Sequence, residues 1–181
     1  CIGLVHLRGS LFDTIAPGGM LSVPLTRAEV QPYLTGDLDL ASVNAPGLCV
    51  VSGPDAALVD LAAKLAAKEI ETSRIQIDIA AHSRMLAPIL GRFGDYLRSI
   101  RLSAPTLPII SNRTGQVLTP AEATNPDYCV QHLRNTVDFQ SCMDKLLAEP
   151  GRVYLEMGPG RAMSSLAQAN GAAAGQVIAA L

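Results

Sequence analysis

Between residues 19 and 79 the hydrophobic pattern switches repeatedly between a strand period and a helix period, and that order of switches admits few folds. Gly19 opens a short apolar run to Val23, and Thr26 with Glu29 three residues on has capping-box spacing, predicting a helix to about residue 34. Residues 38–43 read as a strand, Asn44-Ala45-Pro46-Gly47 as a turn, and residues 48–51 as the antiparallel partner. Pro54 and Asp55 mark a helix start, and Leu58, Leu61, Ala62 and Leu65 give that helix one apolar face to about residue 68. Ile75, Ile77 and Ile79 alternate, so residues 75–79 are predicted to close the series as a strand. Strand, helix, strand, strand, helix, strand is the ferredoxin-like split βαβ order. Residues 19–79 are therefore expected to form a small α+β subdomain, inserted between residues 1–18 and 80–181.

The flanks read differently. Ile2, Leu4, Val5, Leu7, Leu11 and Phe12 fit one face of a helix beginning at Cys1, with no cap ahead of it. A helix already under way at the first residue predicts that the sequence starts inside a larger domain. After residue 82, Leu86, Ile89, Leu90, Phe93, Leu97 and Ile100 recur at three and four, a long amphipathic helix. Residues 109–111 read as a short buried strand with a turn at 112–115, residues 120–133 and 139–147 as helices, and residues 153–157 as a strand. A helix from Met163 to near Gly171 and a strand at 177–181 complete an alternation that implies a parallel sheet with right-handed crossovers. The expected class is α/β, a parallel-sheet core carrying an inserted α+β unit.

Composition narrows function more than fold. Fourteen Lys and Arg against sixteen Asp and Glu leave a formal charge of −2 with no basic stripe, and aromatics are 4% of the chain with no Trp, so nucleic acid is not an expected partner. The apolar runs are far shorter than a membrane span, which predicts a soluble protein with no membrane partner. Cys1, Cys49, Cys129 and Cys142 form no close pair, and His6, His82 and His132 are scattered, so no metal site is expected and reduced cytoplasmic thiols are.

The candidate chemistry centres on His82, expected between a strand end and the next helix, on the rim where open α/β proteins place their ligands. It reads either as a general base or as a cap or loop-bonded histidine. Arg8, followed by Gly9, reads either as a cap on the last carbonyls of the opening helix or as a fork for a substrate carboxylate. Asn112 reads either as an Asx turn or as an amide that orients a ligand. Gly158-Pro159-Gly160 lacks the dinucleotide and P-loop spacings and reads as a tight turn rather than a phosphate cradle. No Gly-x-Ser-x-Gly elbow occurs in the 181 residues, and no cysteine has an evident activating context.

Several stretches occur together in one order: Leu4-Val5-His6-Leu7-Arg8-Gly9, Gly19-Met20-Leu21-Ser22-Val23, Ala41-Ser42-Val43-Asn44-Ala45-Pro46 running to Val51-Ser52-Gly53, Ala81-His82-Ser83, Ile109-Ile110-Ser111-Asn112-Arg113-Thr114-Gly115 and Leu155-Glu156-Met157-Gly158-Pro159-Gly160. Together they resemble the acyltransferase domain of modular type I polyketide synthases, related to the malonyl-CoA:acyl carrier protein transacylase of fatty-acid synthesis. The resemblance implies an α/β-hydrolase-like core from residues 1–18 and 80–181, incomplete at its N-terminus, around a ferredoxin-like subdomain at 19–79. It implies transfer of a malonyl-type unit from coenzyme A, a substrate and not a bound cofactor, through an acyl-serine to the thiol of an acyl carrier protein, beside neighbouring synthase domains. His82 matches the catalytic histidine and Arg8 the arginine that grips the extender carboxylate. Ile79, Ala80 and Ala81 fall in the specificity motif, and Asn112 is a further substrate-binding candidate. The serine segment would lie upstream, so these residues alone are expected to form no acyl-enzyme.

Ile79-Ala80-Ala81-His82 matches neither the malonyl form of that motif, His-Ala-Phe-His, nor the methylmalonyl form, Tyr-Ala-Ser-His. Ala81 leaves room for an α-methyl without requiring one, and a methyl gives only about 1–3 kcal/mol of discrimination. The expectation is malonyl-CoA, with methylmalonyl-CoA open. Two other readings stand beside this one: a noncatalytic scaffold or docking piece of a megasynthase, and a serine hydrolase fragment.

Overall fold

The computed structural model describes residues 2–181; Cys1, the expected first residue of the opening helix, lies outside the described residues. Helix α1 (Ile2–Phe12) leads into β1 (Gly19–Val23), after which Thr26 caps α2 (Arg27–Val30) with both halves of the capping box in place. The α-helix lasts one turn, not to residue 34, because Pro32 has no N–H to continue it, and the chain tightens to a 3-10 turn over Gln31–Tyr33. Strands β2 (Asp39–Ala45) and β3 (Leu48–Gly53) form the expected hairpin, β3 pairs with β1, and α3 (Asp55–Ala66) returns the chain to β4 (Ser73–Arg74). The order β4-β1-β3-β2 is that of the ferredoxin-like unit.

Two faces of this sheet do different work. Leu21, Val23, Cys49 and Val51 pack against Leu58, Leu61 and Leu65 of α3, each leucine contributing about 1.5–3 kcal/mol by burial. On the other side Met20, Ala41 and Val50 pack against Ile75 and Ala81, so the sheet supports the segment that leads to His82. That segment is not the strand expected at 75–79. The ladder to β1 is at Ser73 and Arg74, the Ile75 N–H still bonds the Met20 carbonyl at 3.0 Å, and then Ile77 and Ala81 donate back to Ile75 and Ile79, which turns the chain. Ile75 packs beneath the sheet and Ile79 into the helical core while Ile77 between them is exposed, so the alternation marks a curved connection between two cores rather than a ladder.

Beyond His82 a 3-10 turn (Arg84–Leu86) runs into α4 (Ala87–Ser99), whose Ile89, Phe93 and Leu97 meet Leu11 of α1 and a later helix. Strand β5 (Ile110–Ser111) does not join a parallel sheet as expected; it pairs antiparallel with β6 (Gln116–Val117) across the 112–115 turn. The helix expected over 120–133 is two, α5 (Pro120–Ala123) and α6 (Pro126–Arg134), broken where Pro126 lacks an N–H and Asn125 caps the restart. Val130 and Leu133 of α6 complete the helical core. Strand β7 (Val137–Asp138) then adds to β2 in parallel, joining this core to the inserted sheet, and its Asp138 caps α7 (Phe139–Leu147). Parallel pairing also occurs between β8 (Tyr154–Glu156) and β9 (Val177–Ala179), joined through α8 (Ala162–Ala169). No described helix is long and apolar enough to cross a membrane.

Gly115 closes the β5–β6 turn at φ +67°, where an added Cβ would stand 2.5 Å from the Ser141 side chain of α7, whereas Gly151 has a similar φ of +82° and open space around it. Gly115→Ala is therefore expected to lower unfolding stability by about 1–3 kcal/mol beyond the effect of Gly151→Ala. Urea denaturation of both variants measures this, and equal losses would mean that the Ser141 contact yields freely.

Candidate functional site

His82 has φ +55°, a left-handed conformation that a non-glycine residue holds at a cost of about 1–3 kcal/mol. The surroundings impose it. Ser83, fully buried, donates to the Ala80 carbonyl at 2.6 Å and accepts the Met85 N–H at 3.1 Å, which forces a sharp corner at the start of the 3-10 turn. At that corner the His82 ring turns towards the C-terminal end of α6, where its Nδ1 lies 3.0 Å from the Asn135 carbonyl oxygen. A carbonyl only accepts, so Nδ1 carries the proton and Nε2 keeps a free lone pair. Burial pushes the imidazole's pKa down, the backbone carbonyls of Asn135 and His132 oppose this, and the His132 ring and the Arg8 guanidinium push it down further. The net direction is down, which keeps His82 a neutral base near pH 7.

One carboxylate locates both partners in that bond. Asp39, at the start of β2, accepts the Arg84 backbone N–H at 2.7 Å and Nε–H at 3.0 Å, and Arg134 stands 3.5 Å from its other oxygen. Arg84 also donates to the Gly36 carbonyl at 2.7 Å. Arg84 follows His82 by two residues and Arg134 precedes Asn135, so Asp39 ties the base and its hydrogen-bond acceptor to the inserted sheet. Burial alone would raise the Asp39 carboxyl, but the Arg84 hydrogen bonds and the charges of both arginines hold it below its ordinary value.

Arg8 is not a helix cap: α1 continues past it to Phe12, and its guanidinium lies over the Phe12 ring at 5.9 Å. Among the described residues no carboxylate reaches it. It opens onto a cavity of about 400 Å³ lined also by Leu4, Phe93, Cys129, His132 and Leu133. His132 was not singled out in the sequence. Its Nε2 meets Asn112 Oδ1 at 2.6 Å, and its ring stands edge-to-face with His82, centroids 6.2 Å apart. The available signal was the i, i+3 spacing of His132 and Asn135 on one helix end. Asn112 thus has its oxygen committed and only its amide N–H groups free. Ile79 packs into the helical core, Ala80 is wholly buried, and Ala81 lies beneath the inserted sheet.

Other candidates are occupied. The Glu156 carboxylate accepts the N–H groups of Met163 and Ser164 at 3.0 and 2.9 Å, so the Gly158-Pro159-Gly160 turn leads to a helix end already filled. Burial raises the thiols of Cys49 and Cys129, and pushes Cys142 up to about 11, so none is a ready thiolate. Among the described residues no group of three or more His, Cys, Asp or Glu is placed to hold a metal. The site supplies a base with one free nitrogen and a cation without a partner; both hydrogen-bonding valences of Ser83, the nearest hydroxyl in sequence, are in use.

The family described as acyl transferase domain matches residues 3–175. Among full-length relatives, the spectinabilin polyketide synthase system protein NorB of Streptomyces orinoci is 32% identical over 169 residues, covering 91% of this chain and 8% of that protein. Among solved structures, the acyltransferase domain from the second module of the salinomycin polyketide synthase is 32% identical with a TM-score of 0.91, covering 98% of this chain and 43% of the other. The acyl transferase domain of SpnD, in complex with 2-(pent-4-yn-1-yl)malonyl, is 33% identical with a TM-score of 0.90, covering 97% and 43%. The chain therefore spans less than half of either solved domain and a small fraction of the full-length relative.

Because its folded pKa is depressed, Asp39 contributes stability that is present above the unfolded aspartate value, about 3.9, and lost as pH falls through the lower folded value. Asp39→Asn is expected to cost about 1–3 kcal/mol at pH 7, a difference that shrinks as pH falls through the depressed folded value. Denaturation at a series of pH values measures it; a pH-independent gap would show that the Arg84 bonds do not depend on the charge.

Proposed function

The chain belongs to the acyl transferase domain family, and from that membership we propose that it is the part of a polyketide-synthase acyltransferase that holds the catalytic base and the carboxylate grip. The observation that carries this is the pairing of a histidine whose Nδ1 is committed to a carbonyl with a guanidinium that no carboxylate reaches among the described residues and that opens onto the cavity lined by His132, the ring set edge-to-face against His82. Residues 1–18 and 80–181 form the α/β core in this reading, and residues 19–79 the subdomain that positions His82 from the other side.

His82 Nε2 takes the proton of a serine hydroxyl as the serine oxygen attacks the thioester carbonyl of a malonyl-type coenzyme A ester. As the tetrahedral centre collapses, the C–S bond breaks and the same proton passes to the departing thiol. The second half runs in reverse: the thiol of an acyl carrier protein gives its proton to His82, attacks the acyl-serine, and the serine recovers the proton. Arg8 holds the free carboxylate through paired N–H donors, and a neutral acyl group would leave that guanidinium without a partner, which favours dicarboxylate-derived units. Asn112 has only its amide N–H groups to offer a substrate carbonyl. Ala81, small and packed beneath the inserted sheet, fits malonyl and leaves methylmalonyl open. The serine is supplied by polypeptide outside these residues, and the setting is a soluble, cytoplasmic synthase with its carrier protein and neighbouring domains.

In the complete acyltransferase, His82→Ala is expected to lower loading from radiolabelled malonyl-CoA by about 10²- to 10⁴-fold. Arg8→Ala is expected to lose malonyl loading while gaining relative tolerance of acetyl-CoA. The 181-residue chain alone is expected to take up no label. Stable acylation of that chain, or an unchanged acyl preference in Arg8→Ala, would remove the corresponding role.

A further inference from the structure

We propose that His132, held by Asn112, is a positioning residue that fixes the plane of the His82 ring and hence the direction of its free nitrogen. This rests on reading His82 as the base. The hydrogen bond from Nδ1 to the Asn135 carbonyl, with the His132 backbone carbonyl beside it, anchors one edge of the imidazole and does not by itself set the plane of the ring. The structure closes this freedom with a second contact, the His132 ring, at an interplanar angle of 87°.

The contacts form a closed circuit. Asn135 holds the His82 ring; the N–H of Asp138, a few residues further on, donates to the Asn112 carbonyl oxygen; and the Asn112 side-chain oxygen receives His132 Nε2–H, whose ring returns to His82. Each member fixes the next. Because the Asn112 oxygen accepts, the His132 proton sits on Nε2, so His132 is itself unavailable as a base at that nitrogen. Its charge state is fixed too: burial and the Arg113 guanidinium both push its pKa down. The charged groups around the pair are Arg8 and Arg113, whose fields reach His82 and His132 respectively, and Glu122, whose carboxylate lines the cavity but accepts from Thr119. His132 therefore stays a neutral brace rather than a second cation beside the base.

The test uses the complete acyltransferase with ¹⁵N-labelled histidine. Long-range ¹H–¹⁵N spectra are expected to show His82 as a single Nδ1–H tautomer and His132 as a single Nε2–H tautomer. In Asn112→Ala and His132→Ala, the ring swings off the Asn135 carbonyl and the His82 signal is expected to become a tautomer mixture, with kcat for malonyl loading lowered about tenfold to a hundredfold and, in His132→Ala, KM held. His132→Phe restores a perpendicular ring, and its kcat is expected to recover about tenfold over His132→Ala. A single His82 tautomer and an unchanged kcat in both alanine variants would overturn the brace, as would identical behaviour of the Phe and Ala variants. If His82→Ala itself left loading intact, the base reading would fall instead, so the two failures are distinguishable.

Discussion

The Asp39 carboxylate is the contact on which the geometry of the site depends. It is 14% exposed at its side chain and receives donors from Arg84 and the charge of Arg134, which lie on the two segments that carry His82 and its acceptor Asn135. A carboxylate this far removed from water loses hydration, and charge-assisted bonds in fixed geometry offset the loss. The consequence is positional more than energetic. The inserted sheet, the turn after His82 and the end of α6 share one anion, so none can move without disturbing the other two. Thr136 adds a neutral tie in the same place, donating to the Leu40 carbonyl at 2.7 Å.

With that frame fixed, the strain at His82 becomes intelligible. A left-handed histidine that follows the buried Ala80 and the half-buried Ala81 and precedes a buried serine persists because Ser83 is bonded on both sides of its hydroxyl and Ala81 is packed beneath the sheet. The same corner sets the protonation state. The end of α6, with its carbonyls, would favour an imidazolium, while burial, the His132 ring and the Arg8 guanidinium oppose it, and the opposition prevails. In the proposed function Arg8 has two effects with one charge: it offers a fork to an anion, and it discourages a competing proton on His82.

What could be read in the sequence was local and redundant. Thr26 with Glu29, the Leu58-Leu61-Leu65 stripe of α3 and the Pro46-Gly47 hairpin each carry their geometry within a few residues, and each lies where expected. The errors fell where a local signal had two outcomes. Alternating isoleucines at 75–79 fit a strand or a curved two-sided connection; Ile110 fits a parallel core strand or a hairpin; and one proline, Pro126, divided a helix that periodicity alone would have joined. At the site, His82 and Arg8 were visible as residues and as parts of ordered motifs. His132 was not, because its meaning depends on Asn112 and on the end of α6, distant in sequence from His82 and brought to it only by packing.

The proposed function requires the Arg8 guanidinium and the His82 imidazole to face one cleft, and the titration of His82 reports whether they do. Following the His82 ring resonances against pH in the native sequence and in Arg8→Gln, with Arg92→Gln as a surface control, measures the charge felt across the cleft. Loss of the Arg8 charge is expected to raise the apparent pKa of His82 while the control leaves it in place. A His82 titration indifferent to Arg8→Gln would mean that the two side chains do not share a site, and the base and the carboxylate grip could not act on one substrate.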